Sequence, residues 1–355
     1  MRLKTFTKTA LALCLAAGLI SPAAAEQKKS FKIAWTIYAG WMPWGYVADN
    51  GIIKKWGDKY GITVDVMQLN DYVESNNQYT AGTFDGVLTT NMDAMSIPAA
   101  GGVDTTALIV GDYSNGNDKI ILKGKTKLKD IKGQKVNLVE YSVSHYLLAR
   151  ALDTVGLSEK DVTVVNTSDA DIVAAFKTPD VTAVTTWNPM AAEILQTPDT
   201  HSVFDSTKTP GEIMDMLVVN TQTLKDNPAL GKALVGAWYE VMGIMTKDTP
   251  EGIAARTSMA AASGTDLAGY DSQLDATYLF SDPKKAVKFV EGGDVKKYMD
   301  LVRNFLFEKG LLGEGAQSAD AVGIELADGE VLGDKSNVKF RFSSEYMKLA
   351  ADGKL

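Results

Sequence analysis

Residues 135–152, KVNLVEYSVSHYLLARAL, restrict the fold of this chain more than any other stretch. The run over 135–139 reads as a buried strand, and a short polar turn follows it. Tyr146, Leu147, Ala151 and Leu152 then recur at helical spacing behind Ser142 and Ser144, either of which can open the helix. A strand feeding a helix through so short a turn leaves free backbone N–H groups beside the carboxyl end of a sheet strand. Open α/β sheets take up ligands there. An anion would want Gly and Ser in that turn; Glu140 and Tyr141 stand there instead. The turn therefore points to a small cationic or hydrogen-bond-donating solute.

The same alternation runs along the chain. Strands are expected over 31–37, 62–68, 84–90, 106–110 and 120–122, then over 135–139, 162–166, 183–186 and 216–219. Helices are expected over 47–60, 71–81, 94–100 (capped by Asn91 to Asp93), 170–176 and from 191 onward. Beyond 224 the pattern is mainly helical, and 338–355 reads as a polar tail. Such alternation predicts α/β layers with mainly parallel sheets. The expected architecture has two lobes, with one α/β unit inserted into the other by two crossover segments near 120–125 and 215–219. The ligand is expected in the interlobe cleft. The expected lobes are 26–122 with 216–355, and 123–215. Two crossings favour hinge closure over independent tumbling.

Residues 1–8 form a basic region, 10–20 an apolar run too short to span a bilayer, and 21–25 a small-residue cleavage site. A signal peptide over 1–25, cleaved after Ala25, predicts a periplasmic protein. The single cysteine, Cys14, lies within it, and Leu13 stands where a lipoprotein signal has a small residue. Cleavage removes Arg2, Lys4 and Lys8 and no acids, so the net charge moves from −8 to −8 − 3 = −11. That charge opposes binding to nucleic acid or to an anionic membrane. The lysines over 123–129 read as a solvated connection. His145 and His201 are far apart, and no cysteine remains after cleavage, so neither a metal nor a cofactor is expected. No Gly-x-Ser-x-Gly elbow accompanies Ser142, Ser144 and His145, and the glycines at 292–293 lack a phosphate-loop pattern. An enzyme is not expected.

An ordered set of short blocks carries a family resemblance. They are DIKGQKV at 130–136, SHYLL at 144–148, GL at 156–157, DV at 161–162, VN at 165–166, DA at 169–170 and WNP at 187–189. DGV at 85–87, DAM at 93–95 and DYSNGND at 112–118 accompany them. Over roughly 31–220 the chain resembles the periplasmic solute-binding proteins of nitrate/sulfonate/taurine-type ABC importers. The opening AWTIYAGWMPWGY at 34–46 is similar to a branch encoded beside urea carboxylases. The resemblance implies a monomeric receptor that closes on urea or guanidinium and hands it to a membrane permease. The family's sulfonate, taurine, nitrate or pyrimidine-type solutes are the alternative, and a pyrimidine-precursor synthase is a more distant one. Glu140 and Tyr141 depart from the Gly-Ser or Gly-Thr of many members and set the chain apart from the anion binders.

Guanidinium is flat, charged and rich in donors, so it calls for carboxylates in its plane and aromatic faces above and below. Trp41 and Trp44 lie in a Gly/Pro-containing segment after the first strand, with Tyr38 ranked behind them. Glu140 and Ser142 occupy the strand-to-helix turn, and Trp187 and Asn188 end a strand before Pro189. Asp215 precedes the returning strand. Asn91 and Asp93 double as cap residues. Asp112 heads a turn-rich stretch in which Asn115 and Asp118 read as Asx turns. These ten residues, Tyr38, Asn115 and Asp118 aside, form the expected ligand set.

Overall fold

A computed structural model describes residues 28–355. The expected signal peptide, its cleavage site and Cys14 lie outside them. The strands in chain order are β1 (Ser30–Trp35), β2 (Thr63–Gln68), β3 (Gly86–Thr90), β4 (Thr105–Ser114), β5 (Lys119–Lys123), β6 (Lys135–Leu138) and β7 (Thr163–Asn166). They continue as β8 (Ala183–Thr186), β9 (Thr200–Asp205), β10 (Met214–Asn220), β11 (Thr277–Leu279), β12 (Gly323–Glu325), β13 (Val331–Leu332) and β14 (Val338–Phe342). A large sheet runs β13-β12-β14-β4-β10-β3-β1-β2, with β11 also paired to β4, and a small sheet runs β7-β6-β8-β5-β9. Strands β1, β2 and β3 are parallel, as are β6, β7 and β8. Strand β10 runs antiparallel to both β3 and β4. Helices cover both faces, so the central strands read as unbroken apolar runs: every residue of β3 is buried, as are all but Asn220 in β10.

The chain passes from the large sheet to the small one between Ser114 and Lys119, and returns between Asp205 and Met214. The two passages are tied together. Ser114 Oγ and Ser206 Oγ are 2.7 Å apart, Gly116 N–H donates to Ser206 Oγ at 2.7 Å, and Ser114 N–H donates to the Ile213 carbonyl at 3.0 Å. The strand expected over 120–122 thus belongs to the small sheet, paired with β8 and β9. Both crossings precede their expected positions. An apolar strand buried on both faces carries no mark of which sheet it joins.

Five local expectations change. The helix expected over 47–60 is two, Met42–Asp49 and Ile52–Tyr60, broken at Gly51, whose φ of +69° suits glycine. The first starts directly after Trp41, so the Trp41–Trp44 segment is not a loop. Strand β4 runs on to Ser114, which puts Asp112 on a strand and not in a turn. The helix expected at 94 starts at Asn91 with Thr90 as its cap, Thr90 Oγ1 accepting from Asp93 N–H at 3.3 Å. The expected polar tail supplies β14, wedged between β12 and β4, because Phe340 and Phe342 alternate inward from VKFRF.

Trp44, one turn into its helix, lies in the core and stacks on Trp238 with ring centroids 5.5 Å apart and planes at 18°. Trp238 belongs to the helix Pro228–Met245 and also presses on Gly111, where an added Cβ would lie 3.0 Å from its ring. Gly111 is the extra residue of a β-bulge: Val110 pairs with Met216 and Asp112 with Asp215. Replacing Trp44 with alanine removes a fully buried ring. The expected cost is about 3–5 kcal/mol of stability, read as a lowered Tm, with the ligand affinity of the folded fraction unchanged. A fall in affinity without a fall in Tm would place Trp44 at the ligand instead.

Candidate ligand-binding site

A small cavity, of about 20 Å³, lies where the two sheets meet. Tyr38, Trp41, Tyr72, Thr90 and Asp215 line it from the large-sheet side, Val143 and Trp187 from the small-sheet side, and Asp118 and Ile213 from the two crossings. Its walls are largely aromatic. Trp41 meets the edge of Tyr38 at 5.1 Å and the face of Tyr72 at 5.8 Å, and Tyr72 meets the edge of Trp187 at 5.7 Å. Trp41 is 4% exposed and Trp187 6%, so both rings are withdrawn from solvent.

The floor is acidic. On adjacent antiparallel strands Asp112 and Asp215 are directly opposed, and Thr90 of β3 is opposed to Asp215 on its other side. Opposed residues share a face of the sheet and bring their Cβ atoms to about 5 Å. Tyr38 Oη donates to Asp112 Oδ1 at 2.9 Å. Asp112 Oδ2 and Asp215 Oδ2 are buried and have no hydrogen-bond partner among the described residues, and neither has Trp41 Nε1. Burial drives the carboxyls of Asp112 and Asp215 well above the ordinary range, and the charge of each neighbour adds to the shift at Asp215. Asp118 is pushed up to about 6 by burial, partly offset by its Ser114 hydrogen bond and by Lys119. The Lys119 ammonium is turned to the Gly116 carbonyl. Buried acceptors without donors, beneath aromatic rings, suit a flat, donor-rich cation. Among the described residues no group of three or more His, Cys, Asp or Glu side chains is placed to hold a metal ion.

Of the residues expected from sequence, Trp41, Trp187 and Asp215 line this cavity, and Asp112 sits beside Asp215 beneath it. Asn188 is buried next to Trp187, its Oδ1 without a partner among the described residues. The others lie elsewhere or have other partners. Asn91 holds the returning crossing, donating to the Glu212 carbonyl at 3.1 Å and accepting from Met214 N–H at 3.0 Å. Asp93 accepts from Tyr72 Oη at 2.7 Å, Thr90 Oγ1 at 2.8 Å and Val143 N–H at 3.4 Å. Ser142 caps the helix Val143–Thr154. Trp44 belongs to the core. Glu140 is half-buried outside the cavity lining; Val139, one residue earlier, takes the inward position in the cluster of Trp41 and Trp187. Glu140 lies in the turn that follows β6, beyond the buried run 136–139, and is not among the residues lining this cavity.

Tyr72, Thr90, Val143 and Ile213 carry no sequence signal for the cavity. Asp118 and Tyr38 did: each is a polar or aromatic side chain next to a strand end, passed over in favour of turn and packing roles.

Three contacts join the two sides of the cavity. Tyr72 N–H donates to Asp169 Oδ1 at 3.2 Å, Trp187 Nε1–H points at the Ile37 carbonyl at 3.5 Å, and Val143 N–H reaches Asp93. The Asp93 contact puts one of the protein's own carboxylates at the positive N-terminus of the helix Val143–Thr154, where an anion would otherwise be stabilised.

The NMT1/THI5-like family model matches residues 46–252, more than half of the chain. A binding protein of Brucella abortus is 26% identical over 160 residues, 42% of this chain and 49% of that protein. The chain thus matches about half the length of this curated relative. Among solved structures, the periplasmic aliphatic sulphonate-binding protein of Escherichia coli aligns with a TM-score of 0.64 at 18% identity, covering 80% of this chain and 94% of that one. The alkanesulfonate-binding protein of Xanthomonas axonopodis pv. citri, bound to MOPS, gives 0.66 at 15% identity, covering 84% and 99%. The periplasmic nitrate-binding protein of Synechocystis PCC 6803 gives 0.56 at 11% identity, covering 93% and 99%. At these identities the likeness is one of fold: the chain has the two-lobed periplasmic binding protein fold.

The raised carboxyls give a signed expectation for stability. Asp93, Asp118 and Asp169 are each pushed up to about 6, burial being the largest cause, so the folded state binds protons more tightly than the unfolded chain. Their contribution to stability is fully present below about pH 4 and is lost as the pH rises through about 6. The Tm of the ligand-free protein is therefore expected to fall across this window. Asp118→Asn is expected to shrink the fall, and an unchanged slope would remove Asp118 from the titrating set.

Proposed function

The chain belongs to the NMT1/THI5-like family, and from that premise we propose that it is the periplasmic solute-binding component of an ABC importer, with no catalytic role. It captures a small nitrogen-rich cation of the guanidinium type by lobe closure and presents it to a membrane permease. In this reading β5 to β9 form one lobe, and the segments before and after them form the other. The crossings at 115–118 and 206–213 act as the hinge. Differential affinity for the closed form drives closure.

One observation carries the choice of ligand: two buried carboxyl oxygens, on Asp112 and Asp215, lack donors among the described residues under a roof of aromatic rings. A guanidinium ion supplies donors in one plane and a cationic face for Trp41 or Trp187. Urea has the same outline but turns a carbonyl toward acceptors, a mismatch of about 1–3 kcal/mol. An anionic solute such as a sulfonate or nitrate is the second reading, favoured by what the structural neighbours bind. Against it stands Asp93, which already occupies the anion-favouring end of the helix Val143–Thr154.

The test is calorimetric titration with guanidinium, urea, taurine, an alkanesulfonate and nitrate. Guanidinium is expected to bind at least about tenfold more tightly than urea, since about 1.4 kcal/mol is a factor of ten. Asp112→Asn is expected to weaken it by about 1.5–3 kcal/mol, the range for hydrogen bonds to charged groups. Glu140→Gln is expected to leave it unchanged. Tight binding of nitrate or a sulfonate, with no response to guanidinium, would replace the cation reading by the second one.

A further inference from the structure

The opposed pair Asp112–Asp215 has a charge problem that the rest of the cavity does not solve. The two residues face each other across β4 and β10 and are buried, 0% and 4% exposed. Their Oδ2 atoms are both acceptors, and no donor reaches either among the described residues. Two ionised carboxylates so placed repel strongly in a medium of low dielectric. The surrounding groups do not relieve this. From the segment after β1, the single Tyr38 hydroxyl donates to Asp112 Oδ1 and partly offsets the rise at Asp215, one proton serving two carboxyls. From the first crossing, Asp118 adds a third carboxyl, and the neighbouring Lys119 ammonium is bound to a carbonyl. From the helix Leu267–Asp275, Tyr270 gives its hydroxyl proton to the Ala39 carbonyl at 3.0 Å. From the helix starting at Asn91, Asp93 is occupied by Tyr72, Thr90 and Val143. A single proton shared by the two opposed carboxyls turns two clashing acceptors into a donor and an acceptor.

We propose that Asp112 and Asp215 are the charge-selecting element of the cavity, holding one shared proton that an incoming guanidinium-type cation displaces. This inference rests on the cation reading above and specifies how the site tells a cation from a neutral amide of the same shape. The exchange balances: one positive charge enters as guanidinium and one leaves to solvent as a proton, so the pair goes from −1 to −2 while the pair and its ligand together stay at −1. Neutral urea brings no charge, so the proton stays. The pair would then give one O–H to the urea carbonyl at the expense of its own internal bond. Burial raises the proton affinity of both carboxyls, so the exchange falls in the accessible pH range.

The experiment measures protons released per ligand bound, by titrating the full-length mature protein in buffers of different ionisation enthalpy. With guanidinium the expected release is about one proton wherever the free pair holds a single proton and declines as the pH rises past the point where the free pair loses it, and affinity rises about tenfold per pH unit while one proton is released. Any urea binding is expected to release no proton and to stay level or weaken as the pH rises; no measurable urea binding also agrees with charge selection. Asp215→Asn, which replaces the shared proton with a fixed amide donor, is expected to abolish the release and weaken guanidinium at least about tenfold. If that variant fails to fold, Asp112→Asn serves the same purpose, and the wild-type release by itself decides the matter. Guanidinium binding with no proton release at any pH would overturn the exchange and leave the cation reading standing. No guanidinium binding at all would overturn both.

Discussion

Strands β4 and β10 run antiparallel through the middle of the large sheet. One is the last strand before the chain leaves for the small sheet, and the other is the first after it returns. That pairing ties together the two passages between the lobes, through Ser114, Gly116 and Ser206, and it sets Asp112 opposite Asp215. The linked crossings and the acidic floor are therefore adjacent consequences of a single strand register. The bulge at Gly111 is part of the same device. Without the extra residue the alternation on β4 would shift by one, and Asp112 would leave the face it shares with Asp215. Trp238, stacked on Trp44, fills the space that a side chain at Gly111 would need.

Closure uses acids in a consistent way. Asp93 meets the first N–H of the helix Val143–Thr154, and Asp169 meets the N–H of Tyr72 at the start of the helix Tyr72–Thr80. On the far side, Glu212 of the returning crossing accepts from Arg150 Nε at 2.9 Å and from Tyr146 Oη at 2.6 Å, while Glu159 pairs with Lys309. Phe305, in the helix Gly293–Glu308, meets the edge of Tyr146 at 5.3 Å. Each carboxylate on one element finds a positive end or a cation on another. The pair Asp112–Asp215 is the exception, since its outer oxygens meet only each other. That contrast separates the acids that hold the lobes together from the acids left over for a ligand.

Several features of the fold were legible in local patterns, for physical reasons. The 135–152 unit forms as a strand and a helix because its apolar spacing changes from strand-like to helical across the Ser142 cap. The same rules misplaced breaks and ends. The Asn50-Gly51 pair breaks a helix that periodicity alone would run through. Strand β4 continues past the expected turn signals at 112–115, because pairing with β10 and β11 satisfies a backbone that would otherwise turn. The last strand, β14, was hidden in a segment that looked polar until its two phenylalanines had a sheet to face.

The sequence by itself determined the residue types of the site, aspartates and aromatic residues near strand ends. It named Trp41 from a Gly/Pro-containing segment after the first strand, Asp112 from a turn-rich stretch, Trp187 from a strand end before a proline, and Asp215 from the start of the returning strand. Only the tertiary structure decided which acids lack a partner. Asp93 and Asn91 look as available as Asp112 in the sequence, yet Tyr72, Thr90, Val143, Glu212 and Met214 occupy them from as many as 123 residues away. Glu140 looked committed to the ligand, yet it stands in the turn after β6, outside the cavity lining. Whether a polar group is satisfied depends on which distant atoms reach it, and that information exists only once the chain has closed on itself.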